Sequence, residues 1–213
     1  MRNVVVIAAL SLLAASSVTA RAADLILTSP TPAAGWDGFY AGGNIGYGMG
    51  TIDHVGSTIG DLTMSGGLIG GQLGYNFAAG NGLVVGVQGD LDFTTLTGTY
   101  TAGPTITQSN TWEGSLTGHL GVDAGQFMPY ALAGVTAVGT TRTTTAGGGL
   151  SESAVLGGFT AGGGVAIRIS DMTSIFVEGR YNNYGSHTYT TLPTSPIVTM
   201  TSSEVRAGVN FHF

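Results

Sequence analysis

The chain has 213 residues, 37 of them Gly, and is 43% hydrophobic but only 8% charged, with 12 acids, six Arg and no Lys. A soluble domain carries about 25% charged residues and about 7% Gly, so this chain has too few charges to cover a water-facing surface and too much apolar content to be disordered. Beyond residue 23 no apolar run reaches the roughly 18 residues of a membrane-spanning helix, and the absence of Cys excludes disulfides, thiolate chemistry and Cys-based metal sites.

The N-terminus reads as an export leader. Arg2 supplies the positive start, Val4 to Ala15 the apolar stretch, and Ala20-Arg21-Ala22 a small-residue cleavage site, which predicts a signal peptide over 1–22. Twelve apolar residues are too short to span a bilayer. Without Arg2 and Arg21 the remaining chain keeps four Arg against 12 acids, a formal charge of −8. That balance argues against nucleic acid as a partner, which calls for a basic face. Ala23 to Gly35 has two Pro and no clean period and reads as a periplasmic tether; the barrel proper is expected over 36–213.

From Trp36 onward one pattern recurs: alternation of period 2 over ten or more residues, followed by a break. Segments of about ten alternating residues match tilted membrane-spanning strands. Eight are predicted: Phe39–Met49, Gly67–Phe77, Leu83–Thr94, Trp112–Asp123, Pro129–Thr140, Leu156–Ser170, Thr173–Tyr184 and Ser203–Phe213. The connections alternate in length. Ala78–Gly82, Ala124–Met128 and the Ser170–Thr173 junction are tight, whereas Gly50–Gly66, Thr95–Thr111, Thr141–Val155 and Gly185–Ser202 are long and rich in Thr, Ser and Gly. Short periplasmic turns and longer outer loops are the habit of outer-membrane barrels. The fold class expected is therefore an all-β, eight-stranded, antiparallel, up-and-down transmembrane barrel in the outer membrane of a Gram-negative-type envelope.

The faces follow from the alternation. In the last segment Val205, Ala207, Val209, Phe211 and Phe213 oppose Glu204, Arg206, Gly208, Asn210 and His212. An Arg facing lipid at mid-membrane costs about 2–4 kcal/mol, so Arg168, Arg180 and Arg206 are expected inside. An eight-stranded barrel has room inside only for side chains. Asp90, Asp92, Glu113, His119, Arg168, Glu178, Arg180, Glu204 and Arg206 are accordingly read as a packed polar core, with a narrow ion path as the alternative. The nearly all-apolar Pro129–Thr140 segment leaves its facing ambiguous. Aromatic girdles are expected at Phe39, Phe77, Tyr130, Phe211 and Phe213 on the periplasmic side and at Tyr47, Phe93, Trp112, Phe159 and Tyr181 on the outer side.

Catalytic and metal constellations fare poorly. Ser115, His119 and Asp123 share a face, but residues four apart on a strand lie about 13 Å apart, too far for an acyl-transfer triad. Asp90 and Asp92 share a face, yet Ca²⁺ wants six or more oxygens. The four His show no i, i+4 spacing. His54 and His187, both placed in outer loops, are the only candidate cofactor ligands, as axial ligands of haem. No enzyme activity, metal or bound cofactor is expected.

Trp36 to Gly48 (WDGFYAGGNIGYG), Gly74-Tyr75-Asn76, Val84-Val85-Gly86 with Gly89-Asp90, Pro129-Tyr130 with Ala133-Gly134-Val135, Phe159 to Gly162, Glu178 to Tyr181 and the C-terminal Val205 to Phe213 together resemble small RopB-type, opacity-protein-like outer-membrane barrels, an OmpA-like barrel domain. The resemblance spans the chain from Trp36. It implies an abundant envelope protein with a structural and surface-presenting role, and no shared catalytic set. It implies that Phe211 and Phe213 offer an assembly signal to the outer-membrane assembly machinery, and that the other partner is outer-membrane lipid. Haemin or host surface molecules at the outer loops are the alternative partners. Absence of Lys and the Thr-rich loops depart from the family, so loop-borne functions transfer poorly.

Overall fold

The computed structural model describes residues 35–54, 61–101, 105–188 and 197–213. Nine antiparallel strands are present: β1 Gly38–His54, β2 Leu62–Gly80, β3 Leu83–Thr94, β4 Thr97–Thr101, β5 Thr105–Val122, β6 Phe127–Thr144, β7 Leu150–Ser170, β8 Thr173–Thr188 and β9 Ile197–His212. Eight of them close into a ring, because β1 pairs with both β9 and β2, while β4 continues β3 upward between β2 and β5. Closure leaves the ring no unpaired edge, which is the condition for a sheet to sit in lipid.

The ladder fixes the barrel's width. Stepping from Gly50 across successive partners Ser202, Asn182, Thr160, Gly134, Thr117, Gln88 and Gly74, the path returns to β1 at Tyr40, ten residues down the strand. With about 3.3 Å per residue and about 4.8 Å between strands, that stagger tilts the strands by roughly 41° and sets a backbone radius of roughly 8 Å. Side chains fill such an interior.

Three tight turns close the periplasmic end. In the first, Gly80, Asn81 and Gly82 all adopt positive φ (87°, 53° and 76°); Gly tolerates this region freely and Asn better than most residues. In the second, the Asp123 carboxylate accepts the Gly125 N–H at 2.8 Å, and Gly125 turns at φ 77°.

The outer end differs from the sequence-based expectation. The segments expected as long loops are largely strand: β1 runs on to His54, β5 begins at Thr105, β6 reaches Thr144, and β7 begins at Leu150. Thr-rich stretches have high β-propensity, and their alternation is of hydroxyl against apolar or amide residues, a weaker signal than Val against Asp. The Thr95-Leu96 break between β3 and β4 sits against a bulge at Thr111 in β5, and Asn110 N–H bridges across to the Leu96 carbonyl at 2.8 Å. There the sheet is re-aimed as the extension rises from the lower barrel.

Outward residues form an apolar belt, with Leu73, Phe93, Ile45 and Val205 all more than 60% exposed. Contiguous exposure on that scale marks a surface that lipid covers. β6 resolves its own ambiguity: Met128, Leu132, Thr136 and Thr140 are buried, while Ala131, Ala133 and Val135 face out. Tyr130, expected in the outward girdle, is instead in the inward phase, and its hydroxyl donates to Glu178 at 2.9 Å. A phenol with a buried carboxylate in reach makes a bond that a lipid-facing position could not supply.

Candidate functional site

The lumen is filled in three layers, and the inward residues of β9 read them in order from the outer end: Val198 and Met200, then Ser202, Glu204 and Arg206, then Asn210 and His212.

The uppermost layer sets an apolar cluster beside buried polar residues of β5 and β6, where the Gln108 amide donates to Thr140 and Arg142 donates to Gln108 Oε1 at 3.4 Å. Ile52, Leu62, Met64, Leu96, Val138 and Leu156 pack with Tyr184, Val198 and Met200, all nearly inaccessible to solvent. Ile52, Leu62, Met64, Leu96, Val198 and Met200 come from the outer extensions, and Val138, Leu156 and Tyr184 from the outer ends of the membrane-crossing segments.

The middle layer is a charge network. The Arg206 guanidinium donates to Asp90 (3.1 Å), Asp92 (2.6 Å), Glu113 (3.4 Å) and Glu204 (2.8 Å). Arg180 donates to Asp90 and to Ser115 Oγ, both at 2.9 Å, and to Glu178. Asn182 Nδ2 lies 3.1 Å from both Glu113 Oε1 and Glu204 Oε1. Five carboxylates thus surround two guanidiniums, and every one is buried. Buried charges persist only when paired and hydrogen-bonded, and the five-donor fork of Arg is the side chain that can satisfy several carboxylates at once.

The lowest layer surrounds a cavity of about 20 Å³, lined in part by Tyr40, His119, Tyr130, Ser174 and His212; that is room for about one water. His119 is hydrogen-bonded to Asn76 Oδ1 at 2.7 Å, and His212 Nε2 to Ser174 Oγ at 2.9 Å. An amide relay runs beside it, Asn44 to Gln72 (2.8 Å) and Gln72 to Asn210 (2.7 Å). Trp36 closes this layer from below. It is 1% exposed, its indole N–H donates to the Gly125 carbonyl at 3.2 Å, and its ring meets His212 edge-on at 5.9 Å.

Several sequence-predicted residues thus share one network: Asp90, Asp92, Glu113, Glu178, Arg180, Glu204 and Arg206. Two do not join it. Arg168 lies near the periplasmic rim, where its guanidinium stacks 4.6 Å over Trp36 and donates to the Gly35 carbonyl at 2.6 Å; it is six positions below Gly162, the ladder partner of Arg180, and too low to reach the carboxylates. His119 belongs to the cavity layer. Ser115, His119 and Asp123 stay apart, Ser115 Oγ donating to Asp90 at 2.9 Å and Asp123 bonding the turn. The haem candidates lie in strands instead of loops: His54 ends β1 and His187 belongs to β8, each opposite Val198 in the ladder. The His54 side chain lies outside the described residues. Among those residues no group of His, Cys, Asp and Glu could hold a metal ion.

Trp36, Tyr40 and Asn182 carry the lumen without having been singled out for it, and Tyr130 joins them from its expected place in the girdle. Asn182 shares the inward phase of Glu178 and Arg180, a signal the sequence does contain. Trp36 precedes β1 and has no alternation to announce it.

The closed, tilted ring, its lipid belt and its polar interior define a transmembrane β-barrel of the outer membrane. The chain belongs to the outer membrane protein beta-barrel domain family, which matches residues 8–213. Similar relatives are the 25 kDa outer-membrane immunogenic protein of Brucella abortus, 30% identical over 92% of both chains, and the 22 kDa outer membrane protein of Rhizobium leguminosarum, 32% identical over 74% of this chain and 69% of that one. Among solved structures, Neisserial surface protein A resembles it with a TM-score of 0.49 and 16% identity, over 82% of this chain and 97% of that one.

Proposed function

We propose that the barrel is a non-catalytic structural element of the outer membrane that presents its outer extensions at the cell surface, with a lumen that braces the wall and conducts nothing. The observation that carries this reading is the layered filling: a tightly packed outer layer, a buried ion-pair network and a Trp-sealed cavity of about 20 Å³ lie in series along one axis. A solute path needs a continuous open channel, and buried, packed side chains interrupt one at each layer. The extensions support surface presentation, since β5, β6 and β7 carry Thr and Ser well above the apolar belt. That relatives are named immunogenic proteins of the outer membrane accords with it. The test is conductance of the purified full chain in planar bilayers. No large, steady steps are expected, and porin-sized steps would overturn the proposal.

A further inference from the structure

Each strand's outward column changes chemistry abruptly near the outer end. Up β1 it runs Ile45, Tyr47, Met49 and then Thr51; up β6, Val135, Ala137, Gly139 and then Thr141 and Thr143. The hydroxyls above the change line up from strand to strand. Ser65, Thr97, Ser109, Thr141 and Ser153 are successive ladder partners across five strands, and Thr99, Thr107, Thr143 and Ser151 form a second row above them. On the far side Thr63, Thr51 and Thr201 continue the pattern.

Neighbours within a row bond one another, Thr141 to Ser153 at 2.9 Å and Thr143 to Ser151 at 3.3 Å. A hydroxyl offers one donor and two acceptor sites, so each keeps capacity for a further partner. The rows repeat at about 4.8 Å across strands and about 6.8 Å along them.

The belt carries no cation. The chain has no Lys, and the four Arg beyond the leader, Arg142, Arg168, Arg180 and Arg206, all lie in the inward phase. Asp53 and Asp61 are the acids on these outward columns among the described residues.

We propose that this belt is a contact surface for the neutral sugars of glycolipid headgroups in the outer leaflet. Three observations fix the occupant. The belt continues the lipid-facing surface upward without a gap, which places it at headgroup height. It runs around the barrel, which fits a medium that surrounds the protein and not a partner docked on one side. Its groups are hydroxyls without cations, which match sugar hydroxyls as both donors and acceptors but offer phosphate no ion pair.

The experiment uses the full mature chain refolded into phosphatidylcholine vesicles that lack or contain a rough-type lipopolysaccharide, with a phosphatidylglycerol arm to supply phosphate without sugar. Unfolding in the glycolipid vesicles should be slower by about tenfold or more, the effect of one or two net hydrogen bonds. The gain should survive EDTA and be absent with phosphatidylglycerol. A variant with Thr97, Thr99, Thr107 and Thr143 changed to Val should lose the gain yet unfold normally in plain vesicles, and the corresponding Thr→Ser variant should keep it. The proposal fails if the Val variant keeps the gain, if EDTA abolishes it, or if phosphatidylglycerol reproduces it. The EDTA and phosphatidylglycerol arms use unmutated chain, so they decide the matter even if the Val variant does not fold.

Discussion

Arg206 donates to carboxylates from three strands, Asp90 and Asp92 on β3, Glu113 on β5 and Glu204 on β9, and so ties one side of the barrel to the other. The two kinds of residue in this network are not equivalent. Removing one partner of a buried ion pair costs about 3–5 kcal/mol because the survivor is left buried and uncompensated. Arg206→Gln would leave Arg180 as the only guanidinium facing five carboxylates, and its cost should fall at or above that range. Glu113→Gln acts in the opposite sense. It removes charge from the side in excess, its carbonyl still accepts from Asn182 and Arg206, and its new N–H group lies beside Glu204, since Asn182 contacts both. That variant should be neutral within about 1 kcal/mol, or more stable. Urea titration of refolding into vesicles measures both. A Glu113→Gln variant damaged as badly as Arg206→Gln would show that geometry, not charge balance, holds the network.

Along a single strand, phase decides what a substitution meets. Val209 on β9 points to lipid, whereas a Cβ on Gly208 would run into the Gly43 carbonyl and the Phe176 ring. Val209→Leu should therefore change stability by no more than about 0.5 kcal/mol, while Gly208→Val should cost about 1–3 kcal/mol through overpacking. The reverse order would mean the strand is one residue out of register, a slip that turns every side chain to the other face. The same phase rule explains what was legible in the sequence. Alternation of Val, Leu and Phe against Asp, Glu and Arg marked the eight membrane-crossing segments and brought Asp90, Arg180 and Arg206 to one side of the wall. It marked the outer extensions poorly, because Thr alternating with Ile, Gln or Asn differs little in polarity from one face to the other. Arg168 was read into the charged layer because phase fixes the face of a residue but not its height. Height depends on the stagger of the whole ring, which no single segment encodes. Trp36 and Tyr130 escaped for a related reason: an aromatic near a strand end suits a girdle or a plug equally, and only the position of Gly125, His212 and Glu178 across the lumen decides between them.

For the whole molecule, an even number of ring strands places both ends of the barrel wall on one side of the membrane, and the Phe213 N–H bonds the Phe39 carbonyl there at 2.9 Å. The same end carries the three tight turns, and the opposite end carries the extensions and the hydroxyl belt. This polarity can be tested directly, because the chain has no Cys and a single introduced thiol is the only one to react. Thr101 at the tip of β4 and Ala79 beside the first tight turn are both exposed, so neither substitution disturbs packing. Thr101→Cys should be labelled by a membrane-impermeant thiol reagent on intact cells. Ala79→Cys should be labelled only after the outer membrane is opened. The packed outer layer and the Trp36 seal stand between the two sites in the lumen, so reagent has no route through the barrel from one to the other. Labelling of Ala79→Cys on intact cells, with Thr101→Cys protected, would turn the molecule upside down and move the hydroxyl belt away from the outer-leaflet glycolipid proposed to contact it.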